Sequence, residues 1–291
     1  MSICAAAIGD LLGRAAAGGA RETLVQALTL FLPLVGIGFL LHAEARFLQG
    51  RLAARFGWGS VLVTGWIGTP VHELSHALAC LVFGHRIREI ALFRPDPESG
   101  VLGYVRHTWN PRNPYASAGN FFIGLAPLAG GGAVLFLLLW VFFPGTAREA
   151  LSGFGAEPAG TDAGFLSVLR IPAATSLRVL GDLLRLEILG SWPFWLFLYL
   201  VLCIGSHLGP SPSDFRSARP GLAVLLLVLF LFLANAALII LGVGPQVPTL
   251  WLARLIGPPL SLLAVGAVLF AAAGVPALAL TKLPGGPGGR P

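Results

Sequence analysis

Apolar runs recur along this chain at 24–42, 60–84, 120–143, 191–209, 221–243 and 251–273. Each is about long enough to cross a hydrocarbon layer of roughly 30 Å as a helix rising about 1.5 Å per residue. In lipid no water satisfies the backbone, so such a segment must bond internally as a helix or close into a barrel. With 56% hydrophobic and 11% charged residues, too little polar surface remains to cover a soluble protein of this length. The expected fold is an all-α polytopic membrane protein of about six transmembrane helices. The fourth run is the weakest, because Pro193 stands near its start and Gly205, Gly209 and Pro210 interrupt its end.

Between the second and third runs, REIALF and VLGYVRH alternate in part and flank the turn-rich RPDPESG, which predicts a small membrane-associated β-hairpin. Residues 144–163 read as a small-residue linker. The stretch 164–189 spaces arginines along an apolar pattern and reads as an amphipathic interfacial helix. Residues 283–291 read as a flexible tail. Three regions follow. Residues 1–59 hold an N-terminal segment and the first span, 60–219 the chemically interesting core, and 220–291 two further spans and the tail.

The net charge of +6 comes mostly from dispersed arginines, with no basic block of the kind that binds nucleic acid. Cys4, Cys80 and Cys203 are odd in number and lie in apolar or alanine-rich surroundings, against a disulfide framework. The N-terminus lacks the basic region of a cleaved signal peptide. Six spans put the hairpin, the 206–219 loop and both termini on one side, with basic residues weakly favouring a cytoplasmic N-terminus. The arginine, alanine, glycine and leucine bias suggests a GC-rich bacterial genome, so a bacterial inner membrane is the expected location.

The second run contains GTPVHELSHAL, residues 68–78. Histidines four apart share a helical face, so His72 and His76 can bind one Zn2+ while Glu73 deprotonates a water at the metal. Ionisable groups in an apolar span are costly and tend to be functional. The competing reading is a helix whose polar residues pack against a neighbour.

A catalytic zinc usually takes three protein ligands. The candidates for the third are His42, Cys80, His85, Asp96, His107, Asp162, Asp182, His207 and Asp214. Asp162, Asp182 and His42 fall on the far side or far end. His85, Asp96 and His107 sit in or near the hairpin. Cys80 continues the histidine stripe but lies about 6 Å further along the axis. Asp214 is favoured, because span four should end on the face where span two ends, with HELSH about 12–18 Å deep. Its competing reading is an N-cap at Ser211 with Pro212 at N1 and the acid at N3.

These residues resemble the site-2 protease family of intramembrane zinc metalloproteases, in order from about residue 60 to 216. HExxH in a span is followed by a hairpin, a span with a small-residue and proline motif, and a proline-bearing segment with an aspartate. The family's Asn-x-x-Pro before Asp-Gly corresponds to His207-Leu208-Gly209-Pro210 before Asp214, one residue shorter and with Phe215 for glycine. Its Ala-Gly-Pro-x-x-Asn corresponds to Leu125-Ala126-Pro127-Leu128-Ala129-Gly130, without the asparagine; Asn120 lies on about the same helical face. These departures mark a divergent member.

The resemblance implies an intramembrane zinc endopeptidase acting on membrane-protein or membrane-proximal peptides in the bilayer. His72, His76 and Asp214 are the expected ligands, Glu73 the general base, and Asn120 and His207 candidate substrate or oxyanion support. The hairpin could take an unwound substrate as an added strand. Gly65, Gly68, Thr69 and Pro70 read equally as a loosened helix start that admits water or as close helix packing. An alternative function is a proteolytically inactive relative that binds membrane-protein clients. A metal transporter ranks last, since spans one, five and six offer few polar residues. Oligomeric state is left open.

Overall fold

In the computed structural model, the described residues are 36–154, 165–209, 211, 213–214, 216–224 and 249–282. They are mostly helical with one two-stranded sheet. Helix α1 covers residues 36–56. It is followed by α2 (Trp58–Val82), strands β1 (Arg86–Ala91) and β2 (Tyr104–Thr108), and α3 (Pro114–Phe142). Next come α4 (Pro144–Phe154), α5 (Phe165–Leu183), the short α6 (Leu186–Leu189) and α7 (Trp192–Gly205). Helical backbone resumes at Ser213 and Asp214 and runs over 216–224, here α8. Helix α9 is Thr249–Thr281.

Two helices, α3 and the Pro258–Thr281 part of α9, are long and apolar enough to cross a membrane by length and composition; α7 is apolar but shorter. The runs predicted at 60–84, 120–143, 191–209 and 251–273 fall on α2, α3, α7 and α9. Most of 24–42 and 221–243 lies outside the described residues, as do Cys4, Asp162 and the 283–291 tail.

One expectation is corrected. The start of the predicted linker is helix α4, because AREAL, residues 147–151, is made of good helix formers behind Pro144, and Ala147 and Ala150 are buried in the core. Most of the stretch expected to be an amphipathic helix is helix α5, with Arg170 and Arg178 exposed. Its apolar face, with Val179 and Leu183, is buried, and the helix packs on α9 and α4.

A single apolar core joins α1, α3, α7 and α9 through Leu41, Leu48, Leu135, Leu139, Phe197 and Phe270. Helix α2 packs against α3, α7 and the hairpin. It is inside-out by the standards of a soluble helix. Thr69, Glu73, His76 and Cys80 are buried, whereas Trp66, Leu74, Leu78, Leu81 and Val82 are exposed.

Local chemistry fixes the ends that matter. Helix α2 closes in a Schellman motif: Gly84, at φ 69°, donates to Leu81 O and His85 N donates to Cys80 O at 2.8 Å. Glycine is needed there because that backbone region strains residues with a Cβ. Asn113 caps α3 by accepting from Tyr115 N at 3.0 Å and Ala116 N at 3.4 Å, with Pro114 at the first helical position. The hairpin is antiparallel, pairing Arg86 with Thr108 and Ala91 with Tyr104, with an irregularity between Ile87 and Glu89.

Candidate metal centre

His72 and His76 sit one turn apart in the middle of α2, with ring centroids 4.8 Å apart. Each ring is oriented by a backbone carbonyl of another element. His72 Nδ1 lies 2.6 Å from His207 O, and His76 Nδ1 lies 2.7 Å from Ile123 O. A carbonyl only accepts, so both Nδ1 atoms carry the proton, and in the neutral rings both Nε2 atoms carry a lone pair. Such carbonyl partners typically fix the ring orientation of metal-ligating histidines.

The two Nε2 atoms are 3.1 Å apart. Asp214 completes the cluster, with Oδ2 3.4 Å from His72 Nε2 and Oδ1 3.2 Å from His76 Nε2. Two lone pairs and a carboxylate thus face one point, an arrangement that repels itself unless positive charge sits between them. Ligands about 2.0–2.1 Å from a tetrahedral zinc stand roughly 3.3 Å from one another. The three residues fit a divalent ion by donor chemistry and by spacing.

The capping reading of Asp214 is realised, and the same carboxylate faces the two histidines. Ser211 N donates to Asp214 Oδ2 at 2.6 Å and Asp214 N donates to Ser211 Oγ at 3.2 Å, a reciprocal capping box that starts α8. The cap holds the carboxylate still while its oxygens face the histidines.

Close approach of four elements makes this possible, and glycines permit it. A Cβ on Gly68 would overlap Cys203 O and stand 2.6 Å from His207 Nδ1. On Gly124 it would lie 2.8 Å from Asp214 O, and on Gly103 2.8 Å from Thr69 Cγ2 and 3.0 Å from Glu73 Cγ. Since α2 runs unbroken through Gly65 and Gly68, packing accounts for these glycines better than a loosened helix start. Gly103 and Gly124 were not anticipated as site residues. A glycine interrupting the alternating VLGYV was the available signal for the first.

The cluster opens on a cavity of about 510 Å³ lined by Thr69, Glu73, His207 and Ser211, with Gly100–Val105 of the hairpin as one wall. Glu73 is buried beside the histidines. Thr69 Oγ1 and His207 Nε2 are buried without a hydrogen-bond partner among the described residues. His207 Nδ1 lies 3.0 Å from Cys203 O, which only accepts, so Nε2 holds the lone pair. Asn120 is not on the cavity wall. It is buried one turn before Ile123, and its Nδ2 donates within its own helix to Ser117 O at 3.3 Å.

Among the other ligand candidates, Asp96 accepts from Glu98 N and Ser99 Oγ in the hairpin turn, bonds that hold its carboxyl below the usual range. Asp182 pairs with Arg185 at 2.6 Å. Cys80, His85 and His107 gather at the end of α2, away from the His72 pair. Burial first, and then the neighbouring His85 imidazole, hold His107 down at about 4, so it is neutral near pH 7. No known protein family, curated protein or solved structure matches the chain.

Proposed function

We propose that this chain is a multi-pass, membrane-embedded zinc endopeptidase, a divergent relative of the site-2 proteases that hydrolyses peptide bonds of membrane-protein or membrane-proximal substrates. The observation that carries this reading is the convergence of His72 Nε2, His76 Nε2 and the two Asp214 carboxylate oxygens, with contacts of 3.1–3.4 Å between residues, beside a buried Glu73 in a cavity large enough for an extended peptide segment. The inside-out pattern of α2, with leucines outward and ionisable groups inward, supports lipid as its surroundings.

His72, His76 and Asp214 hold the metal. A zinc ion bound there supplies Lewis acidity and lowers the pKa of water at the centre. Glu73 takes the proton from the attacking water as the new C–O bond forms. It then returns that proton to the leaving nitrogen as the C–N bond breaks. Thr69 Oγ1 is free to donate to a substrate carbonyl. His207, with its lone pair on Nε2, accepts a substrate N–H and is unsuited while neutral to a developing oxyanion, which needs donors. Asn120 supports the α3 wall. The unpaired hairpin edges offer the unwound substrate a strand to join, since a helical substrate has no carbonyl free for attack.

The test uses full-length protein in detergent and in vesicles, with metal content by mass spectrometry and cleavage of a panel of single-span peptides labelled at both ends. Wild type should carry zinc and cleave peptides with a helix-destabilised centre, whereas Glu73→Gln should carry as much zinc and cleave none. Zinc-loaded wild type that binds the peptides without cutting any would leave the client-binding alternative standing. Wild type that cannot be loaded with zinc would end both the metal and the protease readings.

A further inference from the structure

One turn beyond His76 on the same face of α2, Cys80 meets His85 and His107. One ligand atom from each lies within 4.8 Å of the other two. The Schellman motif folds the chain back so that His85 returns over Cys80. His85 Nε2 is 2.8 Å from Ala116 O, so it carries the proton and leaves a lone pair on Nδ1. That lone pair faces His107 Nδ1 at 2.9 Å. Trp109 stacks on His85 at 5.6 Å and 14°, covering the ring. Cys80 is fully buried and His85 is 4% exposed.

We propose that Cys80, His85 and His107 form a second metal site, separate from the first, that takes a borderline-soft divalent ion of the zinc class and clamps the hairpin to the end of α2. One thiolate and two imidazoles suit such an ion. Its ligand separations would be roughly 3.3–3.6 Å, so the two imidazole nitrogens, now 2.9 Å apart, open slightly and the ligand atoms now up to 4.8 Å apart close in. The Ala116 carbonyl behind His85 is the outer partner that orients a ligating imidazole. Binding releases the Cys80 thiol proton to solvent as the S–metal bond forms, and the proton that His107 Nδ1 donates to His85 Nδ1 moves to His107 Nε2 so that Nδ1 can ligate, with no change of oxidation state. His107 also lines the main cavity, so the open fourth position faces that side. The ion would tie three segments, α2, the turn after it and β2, and thereby fix the hairpin wall at Gly100–Val105. This site does not depend on the protease reading, because its sulfur ligand marks it spectroscopically.

The experiment strips full-length protein with chelator in detergent and titrates it with cobalt(II), following absorption. Wild type should bind a second equivalent that brings a thiolate-to-cobalt charge-transfer band in the near ultraviolet. His72→Ala should keep that band, whereas Cys80→Ser should lose it and keep the visible bands of the histidine–aspartate centre. His107→Gln, which keeps the thiol, should raise the cobalt needed for half-saturation of the band at least tenfold. The site is overturned if wild type shows no charge-transfer band at cobalt excess, or if the band survives Cys80→Ser. It is equally overturned if His72→Ala removes the band, which would assign Cys80 to the first centre, or if His107→Gln leaves half-saturation unchanged.

Discussion

Two clusters of ligand-type residues share one stripe of α2, a single turn apart, and they are assembled in opposite ways. The His72–His76–Asp214 cluster draws on α2, α3, the turn after α7 and the start of α8, so every part of it depends on long-range packing. The Cys80–His85–His107 cluster is nearly local, made by a helix end, the turn that follows and the hairpin. A site built from distant elements is lost when any one of them shifts. A local site survives such shifts but positions less of the molecule.

The largest expected effect separates chemistry from assembly in the first cluster. Glu73→Gln should lower the cleavage rate by roughly 10²–10⁴-fold, the usual contribution of a general base, with zinc content unchanged. If the variant also loses zinc, Glu73 belongs with the ligands.

Asp214→Asn sharpens the contrast between the capping role of this residue and the metal role proposed for it. Asparagine keeps an acceptor for Ser211 N, so α8 should start normally. Zinc affinity should fall by more than the roughly 10–100-fold that loss of an outer partner costs, read by chelator competition. A variant that binds zinc as wild type does would leave the carboxylate with its capping role alone.

Gly124→Ala tests dependence on packing. The added methyl meets Asp214 O and Ala218 Cβ at 2.8 Å, and overpacking of this kind costs about 1–3 kcal/mol. Thermal stability should drop and first-site affinity with it, while the cobalt–thiolate band of the second cluster is preserved. Equal losses at both clusters would erase the distinction between a long-range and a local site.

Ser211→Ala removes the other half of the capping box and should cost about 1 kcal/mol, with a modest loss of zinc affinity as Asp214 loosens. Smallest is a surface effect on the hairpin. Glu89 accepts from Tyr104 Oη at 2.5 Å and from Arg106 Nη1 at 3.0 Å, and these partners, Tyr104 first, hold its carboxyl below its ordinary value. A carboxyl depressed in the folded state contributes stability present above its unfolded pKa, near 4.5, and lost as pH falls through the folded value. Acid titration of hairpin protection against pepsin, which is active in acid, should therefore show a step below pH 4.5 that Tyr104→Phe reduces. An identical profile in the variant would make the contact inert.

The sequence by itself determined what depends on local spacing. Helical periodicity put His72 and His76 on one face with Glu73 between them, apolar run length marked α3 and α9, and alternation around RPDPESG marked the hairpin. The pattern Ser-Pro-Ser-Asp announced a helix start at Ser211. Only the tertiary structure decided that the same aspartate turns its oxygens to the histidines, since that requires α8 to approach α3 at Gly124. It also decided the tautomers, because the carbonyls of His207, Ile123 and Ala116 that set them come from other elements. It placed Asn120 against its own helix and His107 in two walls at once. Spacing along a chain fixes which residues share a face. Which face meets which is settled by how closely backbones pack, and here by glycines whose partners no local pattern names.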